Sequence, residues 1–255
     1  MQMEAVKNAN AENLFPAGEL ARTLAAGGIA PGETAVVHCA LHCSDEEKSA
    51  LLSELVGFFD SGTLVMPAGK GPVGTPLGSG TLTEKFLALP GVVLSRHALA
   101  PLAARGRGAE ALLAGHERCQ SPFSPASPWW RLFNSGGKLL FMGCGLECSG
   151  LLAAVEEWAG AAVLSRRVSL CRISGADGKE QLSRVKRHTG SHYRNYPRAE
   201  EELFRRGLLV RVPWTGGVML IADIAGTVLF LMPLLRQKPR LFGARRRSVC
   251  LKKVF

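Results

Sequence analysis

The first apolar stretches of the chain alternate between strand-like and helix-like spacing. Residues 34–38 form a short apolar, β-branched run, and residues 63–67 form a second one; both are typical of buried strands. Between them, Ser44 and Glu47 have the spacing of a capping box, which predicts a helix that runs to about residue 59. Because a strand, a helix and a strand in this order form a crossover, we expect the two strands to be parallel.

The same alternation continues to about residue 158. Apolar residues at helical spacing predict further helices, and short apolar runs predict further strands. The helices are predicted at residues 19–26, 82–89, 109–114 and about 150–158, and the strands at residues 91–94 and 138–142. This alternation is typical of an α/β fold. We predict a three-layer α/β/α protein with a mainly parallel central sheet, in which residues 1–255 form a single domain.

Three loops follow predicted strands and are the places where a ligand is expected. In open parallel sheets, ligands bind beyond the carboxyl ends of the strands. The loops are residues 38–43, the Gly/Pro-rich residues 68–80 and residues 143–149. The Gly-rich loop lacks the G-x4-G-K-[ST] arrangement, so we do not interpret it as a phosphate-binding nucleotide loop.

Composition and cysteine usage indicate an ordinary globular protein from a reducing compartment. Apolar residues make up 47% of the 255 residues and charged residues 20%. The N-terminus has no basic region followed by an apolar one, so we expect no signal peptide. Seven cysteines, an odd number without regular spacing, do not suggest a disulfide framework. We therefore expect a cytoplasmic protein.

The net charge of +10 is concentrated in the last third of the chain. Residues 1–165 hold 11 Lys and Arg against 15 Asp and Glu, whereas residues 166–255 hold 20 against 6. Such asymmetry indicates an anionic partner, although a solvated basic tail explains it equally well. No nucleic-acid motif accompanies the charge, and Tyr193 and Tyr196 are too few for a stacking platform. We therefore expect no binding of nucleic acid.

One segment raises the question of a membrane. Residues 218–235 are almost wholly apolar and are followed by basic residues, which would suit a marginal transmembrane helix. Asp223 near its middle and Pro233 near its end argue against a span in lipid. We favour a buried helix in a soluble domain and expect no membrane partner.

Several of these segments occur in an order that resembles a known family. They run from GGIAPGETAVVHCAL and DSGTLVMP through TPLGSGTLTEKFLALPGVVLSRH to SPFSPASPWWRLFNSGGKLLFMGCG and LLAAVEEW. Together they resemble the aminoglycoside 3-N-acetyltransferase family over about residues 18–158, and more weakly beyond. The resemblance implies that family's fold and an N-acyltransferase that moves an acetyl group from acetyl-CoA to a small-molecule amine. It also implies antibiotic resistance.

The resemblance also shows which parts of the family's chemistry this chain lacks. Acyl transfer needs a base for the amine proton and donors for the oxyanion. His97 matches one family histidine, but Ala100 occupies the place of a second one, and Ala153 stands where another is expected. Glu156 remains. We therefore expect an altered acceptor or reduced activity, with His97, Glu156 or Cys148 as catalytic candidates; a hydrogen-bonded structural histidine and a plain ion pair are the alternatives for the first two.

The resemblance places coenzyme A against two of the predicted loops. A family segment similar to HASLR becomes HCALH in this chain, at the carboxyl end of the first predicted strand, where backbone N–H groups can cradle the cofactor. The cofactor-binding residues expected there are His38, Cys39, Ala40 and Leu41, with Gly143 and Gly145 on the facing turn.

The family's usual acceptor is a polycation and therefore needs an acidic pocket. Glu147, Glu156 and Glu157 are local acidic residues that could supply one in this basic protein. The basic part of the chain could instead serve the phosphates of coenzyme A or an anionic acceptor.

Cysteines and histidines on the same loops leave a second class of function open. Thiolate and imidazole suit zinc or an iron–sulfur cluster, but the spacing is not that of a standard finger, and free cysteines commonly pack as small hydrophobes. The alternative is a protein without acetyltransferase activity that reuses the pocket as a metal-binding or redox site, and we assign no metal ligand. The residues concerned are His38, Cys39, His42, Cys43, Cys144 and Cys148, with His188 and His192 if their segment is helical.

Overall fold

The computed structural model describes residues 16, 18–69, 81–174, 179–188 and 194–243. The strands are β1 (Thr34–Cys39), β2 (Thr63–Pro67), β3 (Val93–Leu94), β4 (Leu102–Gly106), β5 (Lys138–Met142), β6 (Leu164–Ser174), β7 (Glu180–His188), β8 (Leu209–Trp214) and β9 (Gly217–Asp223). The helices are α1 (Glu19–Ala26), α2 (Asp45–Phe58), α3 (Leu82–Leu87), α4 (Ala109–Leu113), α5 (Pro128–Ser135), α6 (Gly150–Trp158), α7 (Glu200–Arg205) and α8 (Ile224–Gln237).

Seven strands form one sheet in the order β3-β4-β2-β1-β5-β9-β8. Strand β1 is parallel to both of its neighbours, β2 and β5, as the β-α-β pattern predicts. The four other pairings are antiparallel. The α/β fold class is confirmed, but the sheet is mixed around a parallel centre rather than mainly parallel. One reason is that β3 and β4, and likewise β8 and β9, are joined by short connections, such as the two-residue turn between β8 and β9. Connections of this length join only antiparallel neighbours.

The helices cover both faces of this sheet and so form the outer layers of the predicted three-layer arrangement. Leu24 of α1, Leu55 of α2 and Phe86 of α3 pack against one face. Helices α4, α5, α6 and α8 pack against the other, where Trp129 and Leu231 are buried. Residues 1–255 as a single domain stay a prediction, because parts of that range lie outside the described residues.

Helix α2 begins where the sequence predicts. The Ser44 hydroxyl accepts a hydrogen bond from the Glu47 N–H at 3.1 Å, and the Glu47 carboxylate accepts one from the Ser44 N–H at 2.6 Å. This reciprocal capping box satisfies two of the N–H groups that a helix start leaves without partners. The capping box therefore fixes the position at which the loop after β1 ends, and this restricts the conformations of that loop.

The apolar segment at residues 218–235 is not one helix. Its first part is strand β9, and α8 begins only at Ile224. Asp223 marks the boundary, because its carboxylate accepts a hydrogen bond from the Gly226 N–H at 2.6 Å and caps the helix. An apolar run does not by itself distinguish a buried strand from a buried helix, which explains the error. Within the described residues, no helix is long and apolar enough to cross a membrane.

Strands β6 and β7 form a separate two-stranded ribbon that was not predicted from the sequence. The ribbon is attached to the body at residues 117–120: the Ser183 hydroxyl donates to the Glu117 carbonyl at 3.4 Å, and the Lys186 N–H donates to the Gln120 carbonyl at 2.7 Å. The last residue of β7, His188, consequently lies against helix α6.

Candidate active site

Two of the three predicted loops lie side by side at the carboxyl ends of β1 and β5. The strands pair with His38 opposite Phe141, and beyond the last pair the Ala40 N–H donates to the Met142 carbonyl at 2.8 Å. The Cys144 thiol also reaches across, 3.6 Å from the His38 carbonyl oxygen. We call residues 38–43 and 143–149 the strand-end loops. Most of the third predicted loop, residues 70–80, lies outside the described residues.

Gly143 makes the close approach of the two loops possible. Its φ of +70° is in the left-handed region that favours glycine. A Cβ atom on this residue would lie 3.0 Å from the Ala40 carbonyl carbon and from the Leu41 nitrogen. The residues predicted to frame coenzyme A are therefore neighbours, and the contact between them leaves no space for a side chain at this position.

The backbone donors of the strand-end loops are partly engaged. The Ala40 N–H is used in the sheet, whereas the Gly145 N–H donates to the carboxylate of Glu147 at 2.7 Å. Because a surface carboxylate can swing away, the Gly145 N–H can be released to a ligand oxygen. Helix α6 begins just beyond, with Ser149 as its N-cap.

His38 is a buried, neutral imidazole. Its ring stacks on Phe141 with 5.1 Å between the ring centroids, and only 7% of the residue is exposed. Burial lowers its pKa to about 4, because desolvation disfavours the charged form. The Nε2 atom is buried and has no hydrogen-bond partner among the described residues. His38 therefore lies where the sequence places it, but its ring is inside the fold.

The cysteines of the strand-end loops have shifted pKa values. The interaction between the thiols of Cys144 and Cys148 lowers the pKa of Cys148 and raises that of Cys144. Burial raises the pKa of Cys39 to about 11. In the part of the chain that the structure describes, no three His, Cys, Asp or Glu side chains converge in a way that could hold a metal. His188 ends a strand, not a helix, and His192 lies outside the described residues.

His97 is fully engaged within the fold. Its Nε2 lies 3.1 Å from the Cys119 carbonyl oxygen, and its Nδ1 accepts from the Leu99 and Ala100 N–H groups at 3.2 and 3.4 Å. The ring also stacks on His116, with 4.7 Å between the centroids. Burial lowers the pKa of His97 to about 4. In this arrangement neither ring nitrogen is left for a substrate.

Helix α6 carries two carboxylates near Ala153, the position at which the family resemblance predicts a histidine. Ala153, Glu156 and Glu157 are spaced i, i+3 and i+4, so they lie on one side of the helix, which we call the carboxylate face. Glu156 is 1% exposed; its Oε2 accepts from the Tyr196 hydroxyl at 3.1 Å and lies 3.3 Å from Arg194 Nε. Burial raises the pKa of Glu156, against the opposing effects of Arg194 and Tyr196. Its Oε1 is buried without a partner in the described residues.

Glu157 has partners that were not predicted from the sequence. Its Oε2 lies 3.0 Å from His188 Nε2 and also accepts a hydrogen bond from the Ser121 hydroxyl. The helical spacing of the two glutamates was readable from the sequence, but no local pattern indicated that the end of β7 returns to this helix.

A sequence profile described as aminoglycoside 3-N-acetyltransferase matches residues 40–236. Aminoglycoside N(3)-acetyltransferase VII of Streptomyces paromomycinus is 42% identical over 83 residues, which cover 32% of this chain and 28% of that relative. The fold resembles the apoenzyme of aminoglycoside acetyltransferase AAC(3)-IVa, with a TM-score of 0.75 and 23% identity over 93% of this chain and 94% of that one.

A second solved structure, AAC-IIIb in a binary complex with CoASH, superposes with a TM-score of 0.69 and 19% identity over 86% of this chain and 95% of that one. At these identities the structures establish a shared fold, whereas the profile covers most of the chain's length. Together with the ordered segments of the sequence, this shows that the chain belongs to the aminoglycoside 3-N-acetyltransferase family.

Proposed function

We propose that this protein is an acetyl-CoA-dependent N-acyltransferase of the aminoglycoside 3-N-acetyltransferase type, with an altered acceptor or reduced activity. The observation that carries the proposal is the contact of the two strand-end loops across Gly143, at the end of a parallel strand pair where α/β sheets bind ligands. The place of the family histidine is taken by Ala153, which is wholly buried and has no group that accepts a proton. In this proposal the fold and the cofactor site are those of the family, and the catalytic side chains differ.

Two relatives support the classes of donor and acceptor. AAC-IIIb has been solved as a binary complex with CoASH, and AAC(3)-IVa in complexes with a gentamicin and with apramycin. We therefore propose coenzyme A and a small-molecule amine as the partners of this chain.

The cofactor is proposed to lie along the strand-end loops. His38, Cys39, Ala40 and Leu41 would form one side of its binding site, and Gly143 and Gly145 the other. The Gly145 N–H, which Glu147 occupies at 2.7 Å, is the donor most easily transferred to a ligand oxygen. Glu156 and Cys148 stay candidates for direct roles, whereas the engaged nitrogens of His97 give it a structural role.

The free cysteines support a reducing environment. The cysteines of the described residues, at positions 39, 43, 119, 144, 148 and 171, are all free thiols. Since disulfides are rare in the cytosol, we propose a cytoplasmic location, which fractionation of the producing cell tests.

Calorimetric titration with acetyl-CoA at low and moderate salt tests the proposed function first. We expect saturable binding with a dissociation constant on the order of micromolar, or about −8 kcal/mol. The absence of binding at both salt concentrations would contradict the proposal and return attention to the metal or redox alternative.

A pair of glycine variants makes this test specific. Gly143 and Gly136 both have positive φ, +70° and +74°, but a Cβ at Gly136 meets nothing within 4 Å. Gly143→Ala and Gly136→Ala should carry similar backbone strain of about 1 kcal/mol, and only Gly143→Ala should weaken acetyl-CoA binding. Equal affinities in the two variants would argue against a cofactor site at the strand-end loops.

A further inference from the structure

A buried imidazole–carboxylate pair lies at the carboxylate face of α6. His188 Nε2 is 3.0 Å from Glu157 Oε2, and the two side chains are only 5% and 12% exposed. The Ser121 hydroxyl donates to the same carboxylate oxygen, and the edge of the Phe123 ring meets the His188 ring at 4.9 Å between centroids. Three elements thus hold the pair: helix α6, strand β7 and the segment before α5.

The imidazole–carboxylate pair lies close to Ala153, where the family resemblance predicts a histidine. Glu157 lies one helical turn from Ala153 on the same side of α6, about 6 Å away between Cβ atoms. The histidine that is absent from the helix is therefore replaced nearby by one that arrives from strand β7. Glu156, with Arg194 and Tyr196, borders the same place and adds a second carboxylate.

The geometry of the pair is that of an oriented base. A carboxylate that accepts the N–H of one imidazole nitrogen leaves the other nitrogen as the proton acceptor, and it stabilises the imidazolium that forms. Here Glu157 engages Nε2, and Nδ1 of His188 has no hydrogen-bond partner among the described residues. Ser121 in turn fixes the orientation of the carboxylate.

We infer that His188, oriented by Glu157, is the general base that takes the proton of the acceptor amine in place of the histidine missing at Ala153. This inference rests on the proposed function. As the amine nitrogen bonds to the thioester carbon, the carbon–sulfur bond breaks and Nδ1 accepts the proton that the nitrogen loses. The proton then passes to the sulfur of the leaving coenzyme A, so that the amide and free CoASH are the products.

The kinetic test compares His188→Ala with Arg187→Ala, an exposed neighbour on the same strand. With acetyl-CoA and gentamicin, measured by release of CoASH and by the mass of the acetylated product, His188→Ala should lower kcat by about 10²- to 10⁴-fold. The KM for acetyl-CoA should not change, free imidazole should restore part of kcat, and Arg187→Ala should retain the wild-type rate. An unchanged kcat in His188→Ala would overturn the inference, and so would a fall that imidazole does not reverse.

Glu157→Gln separates the charge of the carboxylate from its hydrogen bonds. The amide can still accept the hydrogen bonds of His188 and Ser121 but carries no charge to stabilise an imidazolium. We expect a kcat between those of the wild type and His188→Ala, with the same thermal midpoint of unfolding as His188→Gln. Full activity in Glu157→Gln would contradict the role given to the carboxylate.

A binding measurement distinguishes failure of this inference from failure of the proposed function. Acetyl-CoA calorimetry tests the proposed function without His188. Independently, NMR of histidine-labelled protein, with the His188 signal assigned by its loss in His188→Gln, is recorded during titration with gentamicin. A saturable shift of that signal supports an amine site at His188 even if no acetylation is observed; an unchanged signal overturns the inference even if acetyl-CoA binds.

Discussion

Different interactions stabilise the strand-end loops and the carboxylate face of α6. Backbone hydrogen bonds and the close contact at Gly143 join the loops, such as the 2.8 Å bond from Ala40 to Met142. Charges and polar side chains join the carboxylate face to its partners, through Glu156 with Arg194 and Glu157 with His188. The strand-end loops therefore depend mainly on backbone geometry, whereas the carboxylate face depends on which side chains it meets.

The largest effect that we expect involves His38 of the strand-end loops and two histidines that lie outside both regions. Burial lowers the pKa of His38 to about 4, and it lowers the pKa values of His97 and His116, which stack on each other, to about 4 and 3. Their unfolded pKa is 6.5, so the unfolded chain binds more protons as the pH falls below it. The free energy of unfolding should then fall by about 1.4 kcal/mol per pH unit for each histidine between about pH 6 and 4.

Urea denaturation over that pH range measures this acid lability. The slope of the free energy of unfolding against pH should be lower in His38→Gln and in His116→Gln than in the wild type. In each variant the difference should correspond to one proton fewer bound on unfolding, although the two residues lie in different regions. A wild-type slope that both variants leave unchanged would contradict the neutral, buried state of these rings.

The next effect concerns strand β5, which leads into one of the strand-end loops. Phe141 on β5 is 0% exposed and stacks on His38. Phe141→Ala should lower the free energy of unfolding by about 3–5 kcal/mol, because the lost apolar contacts leave a cavity. The control is Leu170→Ala on the ribbon, where the side chain is 64% exposed and the change should stay within about 0.5 kcal/mol. Similar midpoints of denaturation in the two variants would contradict the difference in burial between the two side chains.

A smaller effect belongs to the carboxylate face. Burial raises the pKa of Glu156, so the folded state holds its proton more tightly than the unfolded chain does. The free energy of unfolding of the wild type therefore falls as the pH rises above the ordinary glutamate pKa of 4.5. This part of the pH dependence is absent in Glu156→Gln. Denaturation of both proteins at pH values on either side of about 4.5 should show the variant gaining stability relative to the wild type as the pH rises. A difference that does not vary with pH would contradict the raised pKa.

The parts of the fold that the sequence predicted share one property: their signal is local. The apolar runs of β1, β2 and β5 and the capping box at Ser44 can each be recognised within a few residues. The rule for parallel strands then brings the loops of β1 and β5 together, although about 100 residues separate them. The sequence therefore identified two loops that the structure places side by side, whereas the coenzyme A site at these loops comes from the family resemblance and stays a prediction.

The parts that were missed depend on pairing between distant segments. The ribbon has no strict alternation, since Val168, Leu170 and Leu182 face solvent while Ser183 is buried. The partner of Glu157 is 31 residues away at the end of β7, and no pattern within either segment indicates that they meet. The strand at the start of residues 218–235 was missed for another reason, because an apolar run of that kind fits a strand and a helix equally well.

The smallest expected effects compare the helix cap at Ser44 with an exposed ion pair on the ribbon. Ser44→Ala removes the cap of α2 and should lower the free energy of unfolding by about 1 kcal/mol, because the Glu47 N–H loses its acceptor. On the ribbon, Arg172 and Glu180 form an ion pair at 3.4 Å, but the side chains are 78% and 69% exposed. Arg172→Ala should therefore change stability by about 0–0.5 kcal/mol, and salt should not alter it further. A larger loss of stability in Arg172→Ala than in Ser44→Ala, measured by thermal denaturation, would contradict the small contribution expected of such an exposed ion pair.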